Sequence, residues 1–359
     1  MTLRSVLPSQ EIIKLIKNNV IRSTASIEPE QIQPSSIDLR LGARAWRMRA
    51  SFLPGDHRKV KILIDQLSMQ EINLDTGYIL EKGSVYLVEL QECLTLPKNI
   101  EALGNAKSST GRLDLFTRLI TDNATEFDKV NPGYSGPLYA EIAPNSFSVL
   151  VKKGIMLNQI RFKLLQKFDK STSKSGENYD KIVERMALGD LTSKKFSINL
   201  RSKKGDAIGF QAKPHTDLID LEKINYYKVD DFWEKVSPKS NRIVLDPGAF
   251  YIFSSQEFVS IPPQLAAEMA PYLSMIGEFR VHYAGFFDPG FGYSLDKSKR
   301  SKAVLEMRCH ETPFVLEHGQ TVGKLVFERM LEEPDILYGK DLESNYQGQS
   351  LKLSKHFKS

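Results

Sequence analysis

The strongest constraint on this chain is an internal repeat. Glycines, prolines, aromatic residues and charged residues recur at a constant separation of 165 positions. The matched pairs are Gly83 with Gly248, Tyr86 with Tyr251, Gln91 with Gln256, Glu92 with Glu257, Pro97 with Pro262, Glu141 with Glu306, Gly154 with Gly319 and Phe162 with Phe327. One register kept over so many positions indicates two copies of one folding unit, because two unrelated domains of similar composition would not keep it. The length of 359 residues agrees, since a single core rarely grows past roughly 250–300 residues.

The pattern within the repeat favours β-strands. Short β-branched and aromatic runs lie between glycines and prolines. The runs are Val85–Val88, Val149–Val151, Ile160–Phe162, Ile243–Leu245, Phe250–Phe253, Ala303–Leu305 and Lys324–Phe327. Their close spacing predicts a mainly β fold, a barrel or sandwich rather than a parallel sheet. One short helix is predicted at Glu11–Lys17, with Ser9 as its cap and Ile12, Ile13 and Ile16 on one face.

The sequence divides into four segments. Residues 1–168 and 207–332 hold the two copies, and residues 333–359 form a C-terminal tail. Residues 169–206 are rich in Ser, Lys, Gly and Asn, which predicts a linker or a long surface excursion with a helical turn near Tyr179–Ala187.

Composition narrows the classes of partner and compartment. The net charge is +5, which suits an anionic small molecule, and no basic run with interleaved aromatics indicates nucleic-acid binding. Two cysteines, Cys93 and Cys309, are too few for a disulfide framework and are expected to be reduced thiols. No apolar run reaches the roughly 18 residues that a membrane span needs, and the first residues do not resemble a signal peptide. We therefore expect a cytoplasmic protein with no membrane contact.

The segment Ala106–Leu113 is the first candidate site. It places the hydroxyl groups of Ser108 and Ser109 between Lys107 and Arg112 at a predicted helix start. Hydroxyls, backbone N–H groups and a guanidinium fork suit a phosphate group. The same residues are also compatible with an ordinary capped surface helix.

Two further motifs lie in the second copy. An Asp288-Pro289-Gly290-Phe291 turn, flanked by aromatics, could line a pocket in which Phe291 covers a flat base, or it could be an ordinary hairpin. Glu306 lies in the otherwise apolar run Ala303–Met307. If it faces inward, burial would raise its pKa and suit it to general-base chemistry; if it faces water, it belongs to the polar face of a strand. Glu141 has the same two options.

The tail carries the last motif. Tyr346, Gln347 and Gln349 surround Gly348, and this pattern suits either a lid that folds over a ligand or a disordered terminus.

The order of these motifs resembles that of the dCTP deaminases of the dUTPase superfamily. The Ser-Ser-x-x-Arg-Leu segment, the Asp-Pro-Gly-aromatic hairpin, the strand glutamate, Gly319-Gln320 and the Tyr-Gln-Gly-Gln tail follow one another as in that family, and Gln33–Gly42 is similar to its opening. The resemblance implies two tandem dUTPase-like distorted β-barrel or jelly-roll domains with short helices. It also implies hydrolytic deamination of dCTP to dUTP and ammonia, which is hydrolysis of a cyclic amidine C–N bond.

The family's site lies between subunits, and the two copies here are complementary in that sense. The first copy keeps Ser108, Ser109 and Arg112, but Asn131-Pro132-Gly133-Tyr134 replaces its Asp-Pro-Gly hairpin. The second copy keeps Asp288 and Glu306, while its phosphate segment, Pro271–Gly277, has no arginine. The resemblance therefore implies one composite site per chain.

The resemblance implies a role for each matched residue. Glu306 would be the general base, with Arg112 and Ser108 orienting it and the attacking water. Lys107, Ser108, Ser109 and Arg112 would bind the triphosphate together with Mg²⁺, which is held through the phosphates and not by a protein metal site. The remaining substrate contacts would come from Ala284, Asp288, Phe291, Gln320, Tyr346 and Gln349. Asn345 stands where the family often has lysine, which leaves one phosphate contact unexplained.

Other activities remain open at this point. A zinc deaminase is disfavoured, because that class needs a His-x-Glu and a Pro-Cys-x-x-Cys ligand set. Asp288 would also serve a dUTPase, or an enzyme that is both dCTP deaminase and dUTP diphosphatase. A catalytically inactive nucleotide-binding paralogue is the third alternative. The protein could form a homo-oligomer, a dimer or a trimer.

Overall fold

The computed structural model describes residues 2–167, 193–201, 206–237, 241–271, 279–282, 285–293, 300–309, 311–342 and 346–358. Within these ranges most regular structure is β, with four short α-helices and one 3-10 turn at Pro29–Gln31. The helices are α1 (Ser9–Lys17), α2 (Val60–Leu67), α3 (Ser108–Gly111) and α4 (Val229–Phe232). The prediction of a mainly β fold with short helices is confirmed.

The first half contributes a ten-stranded sheet and two strands, β5 and β11, of a three-stranded sheet that β15 of the second half completes. The strands are β1 (Thr2–Val6), β2 (Ile21–Ser23), β3 (Ile37–Met48), β4 (Ser68–Asn73), β5 (Tyr78–Leu80), β6 (Val85–Thr95), β7 (Ile100–Ala106), β8 (Leu115–Thr121), β9 (Lys129–Val130), β10 (Ser135–Pro144), β11 (Val149–Val151) and β12 (Met156–Lys167). The order β8-β10-β6-β3-β12-β7-β9 brings β7 beside β8, so the sheet is almost closed into a barrel.

The second half repeats these pairings in smaller sheets. Its strands are β13 (Ser193–Ser197), β14 (Gly209–Ala212), β15 (Ile219–Asp220), β16 (Trp233–Val236), β17 (Arg242–Leu245), β18 (Phe250–Val259), β19 (Leu265–Pro271), β20 (Phe279–His282), β21 (Phe286–Phe287), β22 (Ser301–Cys309), β23 (Phe314–Glu317) and β24 (Thr321–Arg329). The pairs β6–β10, β7–β12 and β5–β11 recur as β18–β22, β19–β24 and β17–β23. Strands β6, β7, β11 and β12 each begin 165 positions before their counterparts.

One hydrophobic core runs across the boundary between the halves. The core of the first barrel also contains Trp233, Phe250, Ile252 and Val304 from the second half, and each of them is at most 5% exposed. Burying such large apolar side chains stabilises the contact by roughly 1.5–3 kcal/mol per side chain. The halves therefore pack as one body, which is what a cavity with walls from both halves requires.

Two local predictions are wrong. Ser9 does not cap α1: Pro8 is at the N-cap, and Ser9 is the first helical residue, fully buried with its N–H bonded to Pro34 O. The predicted linker, residues 169–206, includes strand β13, which pairs with β24. The buried alternation of Phe196, Ile198 and Leu200 was masked by the Ser- and Lys-rich composition around it. The predicted helical turn at Tyr179–Ala187 lies outside the described residues.

Candidate active site

A cavity of about 240 Å³ lies between the two halves. Its lining includes residues from Ala106–Leu113, called the phosphate segment from here on, from the second-half hairpin, from strand β22 and from the tail. The sequence-predicted residues among them are Lys107, Ser108, Ser109, Arg112, Asp288, Phe291, Glu306, Tyr346 and Gln349. These residues are far apart in the sequence, and the fold brings them to one site.

The phosphate segment forms one wall. It folds as the single turn α3, with Lys107 at the N-cap in an extended conformation. The N–H groups of Thr110 and Gly111 bond to Lys107 O, so they cannot also serve an anion. Hydroxyl groups and the Lys107 ammonium therefore supply the polar character of this wall, and Lys107 forms an ion pair with buried Asp38.

Glu306 lies opposite, on β22. Its side chain points into the interface and is only 6% exposed, so the inward of the two orientations is observed. Burial raises the pKa of Glu306 to about 8, and nearby Arg112 opposes this shift. A carboxyl group with this pKa exchanges a proton readily near neutral pH, as a general base must.

Arg112 joins the halves within the cavity. Its Nε lies 3.9 Å from Glu306 Oε1 and has no hydrogen-bond partner among the described residues. Its Nη1 donates to Gln349 Oε1 at 3.0 Å and to Lys352 O at 2.9 Å. The ring of Tyr346 lies 3.8 Å from the guanidinium carbon. The tail thus fixes the arginine while one buried donor remains directed at the carboxylate.

The second-half hairpin is held by residues of the first half. Ser35 Oγ donates to Asp288 Oδ1, and Arg161 Nη2 lies 3.6 Å from the same oxygen. Arg161 is fully buried and also donates to Ala267 O at 3.2 Å and Glu328 Oε2 at 3.0 Å. Its Nη2 also donates to Phe287 O at 3.4 Å, so the buried guanidinium holds the hairpin through Phe287 and Asp288.

The turn after Asp288 depends on glycine. Gly292 has a φ of +62°, and a Cβ there would lie 2.2 Å from Val259 O. Its N–H donates to Gln347 Oε1 at 3.0 Å, which links the hairpin to the tail. Phe291 packs against Phe287 at 5.2 Å between ring centroids, so one aromatic face of the cavity is built within the hairpin.

The tail is anchored at both ends of its described part. Tyr346 and Gln349 line the cavity, and Ser354 Oγ donates to Ser109 O at 2.7 Å. Phe357 is 4% exposed in an aromatic cluster with Phe232 and other rings. Of the two sequence-based alternatives, a disordered terminus is wrong for residues 346–358.

Two predicted contacts remain predictions. Gln320 lies in the turn between β23 and β24, where its Oε1 accepts from Glu317 N at 3.1 Å. It is not among the described residues that line the cavity. Ala284 lies outside the described residues, and so does Asn345.

Sequence reasoning missed several residues of the site. Asp38, Gln159 and Lys355 line the cavity, and Arg161 supports it from behind. Asp38 lies within Gln33–Gly42, a segment whose resemblance to the family's opening does not single out this residue. Gln159 and Arg161 lie on β12 and resemble ordinary strand residues, while Lys355 lies in a Lys-rich tail. No local pattern distinguishes them, because their position depends on contacts between the halves.

Glu141, the counterpart of Glu306, is in a different environment. It is buried, and its Oε1 accepts from Arg118 Nε at 3.1 Å and Nη2 at 2.5 Å. The Arg118 guanidinium carbon lies 3.4 Å from the ring centroid of Phe127. One oxygen of this carboxylate is thus held by an arginine that donates two hydrogen bonds to it, whereas Glu306 accepts no such pair from Arg112, so the two related positions differ in their surroundings.

Family models match almost the whole chain. The N-terminal domain model of 2′-deoxycytidine 5′-triphosphate deaminase matches residues 3–166, and the C-terminal domain model of the same enzyme matches residues 172–357. The chain belongs to the dCTP deaminase family.

Individual relatives agree with this assignment. A crystal structure of 2′-deoxycytidine 5′-triphosphate deaminase from Agrobacterium tumefaciens is 45% identical, covers 92% of this chain and 99% of its own, and superposes with a TM-score of 0.84. Proteins named "dCTP deaminase, dUMP-forming" from Coprothermobacter proteolyticus and Nanoarchaeum equitans are 31% and 28% identical. Those matches span 42% and 46% of this chain and 80% and 89% of the relatives.

None of the described helices is long enough and apolar enough to cross a bilayer.

Proposed function

We propose that this protein hydrolyses dCTP to dUTP and ammonia, with Glu306 as the general base. The observation that carries the proposal is the meeting of Arg112 from the first half with Glu306 from the second, 3.9 Å apart in one cavity. A carboxyl group with a pKa near 8 and an unsatisfied donor directed at it form a proton-transfer pair in a desolvated setting.

The reaction proceeds in two proton-balanced steps. Glu306 takes a proton from a water molecule as the water oxygen forms a bond to C4 of cytosine, and it passes that proton to ring N3. The tetrahedral intermediate then loses its amine: the new hydroxyl gives up its proton through Glu306 to the amine, the C4–N bond breaks, and ammonia leaves. Arg112 and Ser108 orient the carboxylate and the water. Proton transfer by a positioned group typically contributes 10²–10⁴-fold in rate.

The rest of the cavity binds the nucleotide. Lys107, Ser108 and Ser109 contact the triphosphate, Asp288 and Phe291 shape the sugar and base pocket, and Tyr346 and Gln349 close the site. Mg²⁺ would be carried mainly by phosphate oxygens. Asp38 fits this ion, because its Oδ1 is a buried oxygen at the cavity wall with no hydrogen-bond partner among the described residues. When bound, the ion neutralises phosphate charge.

The product assay tests the proposal. Purified protein with dCTP and Mg²⁺ should release ammonia and dUTP, and a chelator should weaken turnover. Glu306→Gln keeps the size of the side chain but cannot accept the water proton, so we expect a loss of at least 10²-fold in kcat. Ammonia release that survives this substitution would show that another group is the base.

Glu141→Gln is the matched control. It changes the equivalent strand position outside the cavity and removes an ion pair rather than a base. We expect it to lower the melting temperature while leaving kcat within a few-fold of wild type. Tight binding of dCTP by the wild type without turnover would instead favour an inactive nucleotide-binding paralogue.

A second candidate is a dUMP-forming enzyme, which removes ammonia and then pyrophosphate. It is favoured by the names of the Coprothermobacter proteolyticus and Nanoarchaeum equitans relatives and by Asp288, whose carboxylate lines the cavity. Pyrophosphate release alongside ammonia, or pyrophosphate from dUTP alone, identifies this activity.

We also propose that the chain arose by duplication and fusion of a single barrel gene. The recurring strand pairings at a separation of 165 residues support this history. The enzyme would act in the cytoplasm as a homo-oligomer, a dimer or a trimer, in keeping with the trimeric family it resembles.

A further inference from the structure

Lys355 is a cavity residue that the assignment above does not use. It lies on the phosphate side, where its charge interacts with those of Lys107 and Asp38. The next residue toward the N-terminus, Ser354, donates to Ser109 O at 2.7 Å, so the tail lies directly against the phosphate segment. Lys355 is thus placed beside the hydroxyl-rich wall and not beside the base pocket.

The backbone of Lys355 is fixed on both sides. Its N–H donates to Tyr346 Oη at 3.3 Å, and its carbonyl accepts from Asn225 N at 2.9 Å. The carbonyl of His356 accepts from Tyr226 N at 2.9 Å, and Phe357 is buried. A side chain presented from such a position loses little additional freedom when it binds a ligand.

The charges of the cavity leave Lys355 without a counterion. Each buried carboxylate of the lining already has its own cation: Asp38 has Lys107, Glu306 has Arg112, and Asp288 has Arg161. Among the described residues no carboxylate lies within ion-pair distance of Lys355. Burial lowers the pKa of Lys355, the charge of Lys107 lowers it further, and the charge of Asp38 opposes both.

We propose that Lys355 is a phosphate-binding residue that, together with Lys107, selects nucleotide triphosphates over monophosphates. This inference rests on the proposed function, since it assumes that the cavity binds a deoxycytidine nucleotide. An anionic triphosphate supplies the missing counterion and removes the repulsion between the two lysines. A monophosphate does not span both the reacting base and this lysine pair.

Lys355→Gln tests the proposal, with Lys358→Gln as the matched control. Lys358 is exposed three residues further on and does not line the cavity. Because a hydrogen bond to a charged group is worth about 1.5–3 kcal/mol, we expect the KM for dCTP to rise about 10- to 100-fold in Lys355→Gln with kcat within a few-fold. Turnover of dCMP, where measurable, should not change. Lys355→Arg should restore most of the affinity, and Lys358→Gln should match wild type.

Inorganic tripolyphosphate provides a measurement that does not depend on turnover. Calorimetry should show that it binds wild type and Lys358→Gln alike and binds Lys355→Gln at least tenfold more weakly, at equal melting temperatures. Equal affinity for tripolyphosphate and equal KM in Lys355→Gln would overturn the inference even if the wild type deaminates dCTP. Lys355-dependent tripolyphosphate binding in a protein that does not deaminate dCTP would overturn the proposed function instead.

Discussion

At the scale of single residues, the chemistry depends on the different surroundings of two related glutamates. Glu306 faces a cavity and one unsatisfied guanidinium nitrogen, and burial raises its pKa to about 8. Glu141 is neutralised by Arg118. The same residue type on equivalent strands is thus the proposed base in one place and part of a structural ion pair in the other.

This difference predicts a pH profile. A base with a pKa of about 8 is mostly protonated at pH 6 and ionised above pH 8, so kcat/KM for dCTP should rise with pH and level off above about 8. Steady-state assays between pH 6 and 9.5 measure this rise, and Glu141→Gln should show the same curve. A flat profile over this range would contradict the assignment of Glu306.

Residue types could be predicted better than residue contacts. Ser108, Arg112 and Glu306 stand out in the sequence because their chemistry is unusual for their local pattern. Arg161 and Lys355 do not stand out. Arg161 is distinguished by an ion-pair partner far along the chain, and Lys355 by the lack of a carboxylate partner among the described residues. The role of Gln320 stays a prediction, because a Gly-Gln pair in a turn does not reveal from sequence what the side chain contacts.

At the scale of elements, the tail is a structural part of the site. Its last described residues pack into the first core, and their polar groups bond to the phosphate segment and to Tyr226 and Tyr227. Tail residues that bond to Arg112 and Ser109 set the shape of the cavity before a nucleotide arrives.

Acid should loosen this element. His356 is buried, and burial lowers its pKa to about 4 from 6.5, so the unfolded tail binds a proton that the folded tail does not between those values. Stability is therefore fully present above about pH 6.5 and is lost as the pH falls, by about 2 kcal/mol at pH 5. Hydrogen exchange of residues 346–358 should speed up between pH 7 and 5, after correction for intrinsic rates.

His356→Gln separates this effect from general acid destabilisation. The variant lacks the titrating ring, so its tail should show a smaller change between pH 7 and 5 than the wild type. An identical change in both proteins would mean that another group governs the tail.

Strands and helices could be predicted from the sequence wherever the periodicity of apolar residues and the positions of the turn residues indicated the same element. The strands at Val149–Val151 and Phe250–Phe253 are present within β11 and β18. Strand β13 could not be predicted, because its Ser and Lys residues outweigh the alternating apolar residues Phe196 and Ile198. The alternation is recognisable as a strand only once β13 is seen paired with β24. Pairing across the sequence supplies information that a local window lacks.

At the scale of the whole molecule, one chain supplies both walls of the cavity. The lining includes α3 of the first half and β22 of the second, and a shared core holds the halves together. The family that the sequence resembles places such a site between subunits, whereas here the two contributors are covalently joined.

A mixing experiment tests this arrangement. Arg112→Gln and Glu306→Gln each remove one wall's contribution, so each variant should be nearly inactive. If the cavity forms within one chain, mixing the two variants should restore no activity, and the specific activity of the wild type should not depend on protein concentration. Recovery of activity on mixing would show that the walls come from different chains.

In the first half, the Arg118–Glu141 ion pair lies where the second half has the cavity beside Glu306. We expect this ion pair to limit the number of nucleotides that one chain binds. Arg118 and Phe127 occupy the surroundings of Glu141, where a cytosine ring would otherwise have to enter. A titration with a non-hydrolysable dCTP analogue should therefore saturate at one equivalent per polypeptide, although the polypeptide carries two barrels. Binding should follow a simple hyperbola if the cavity beside Glu306 is the one nucleotide site of each chain.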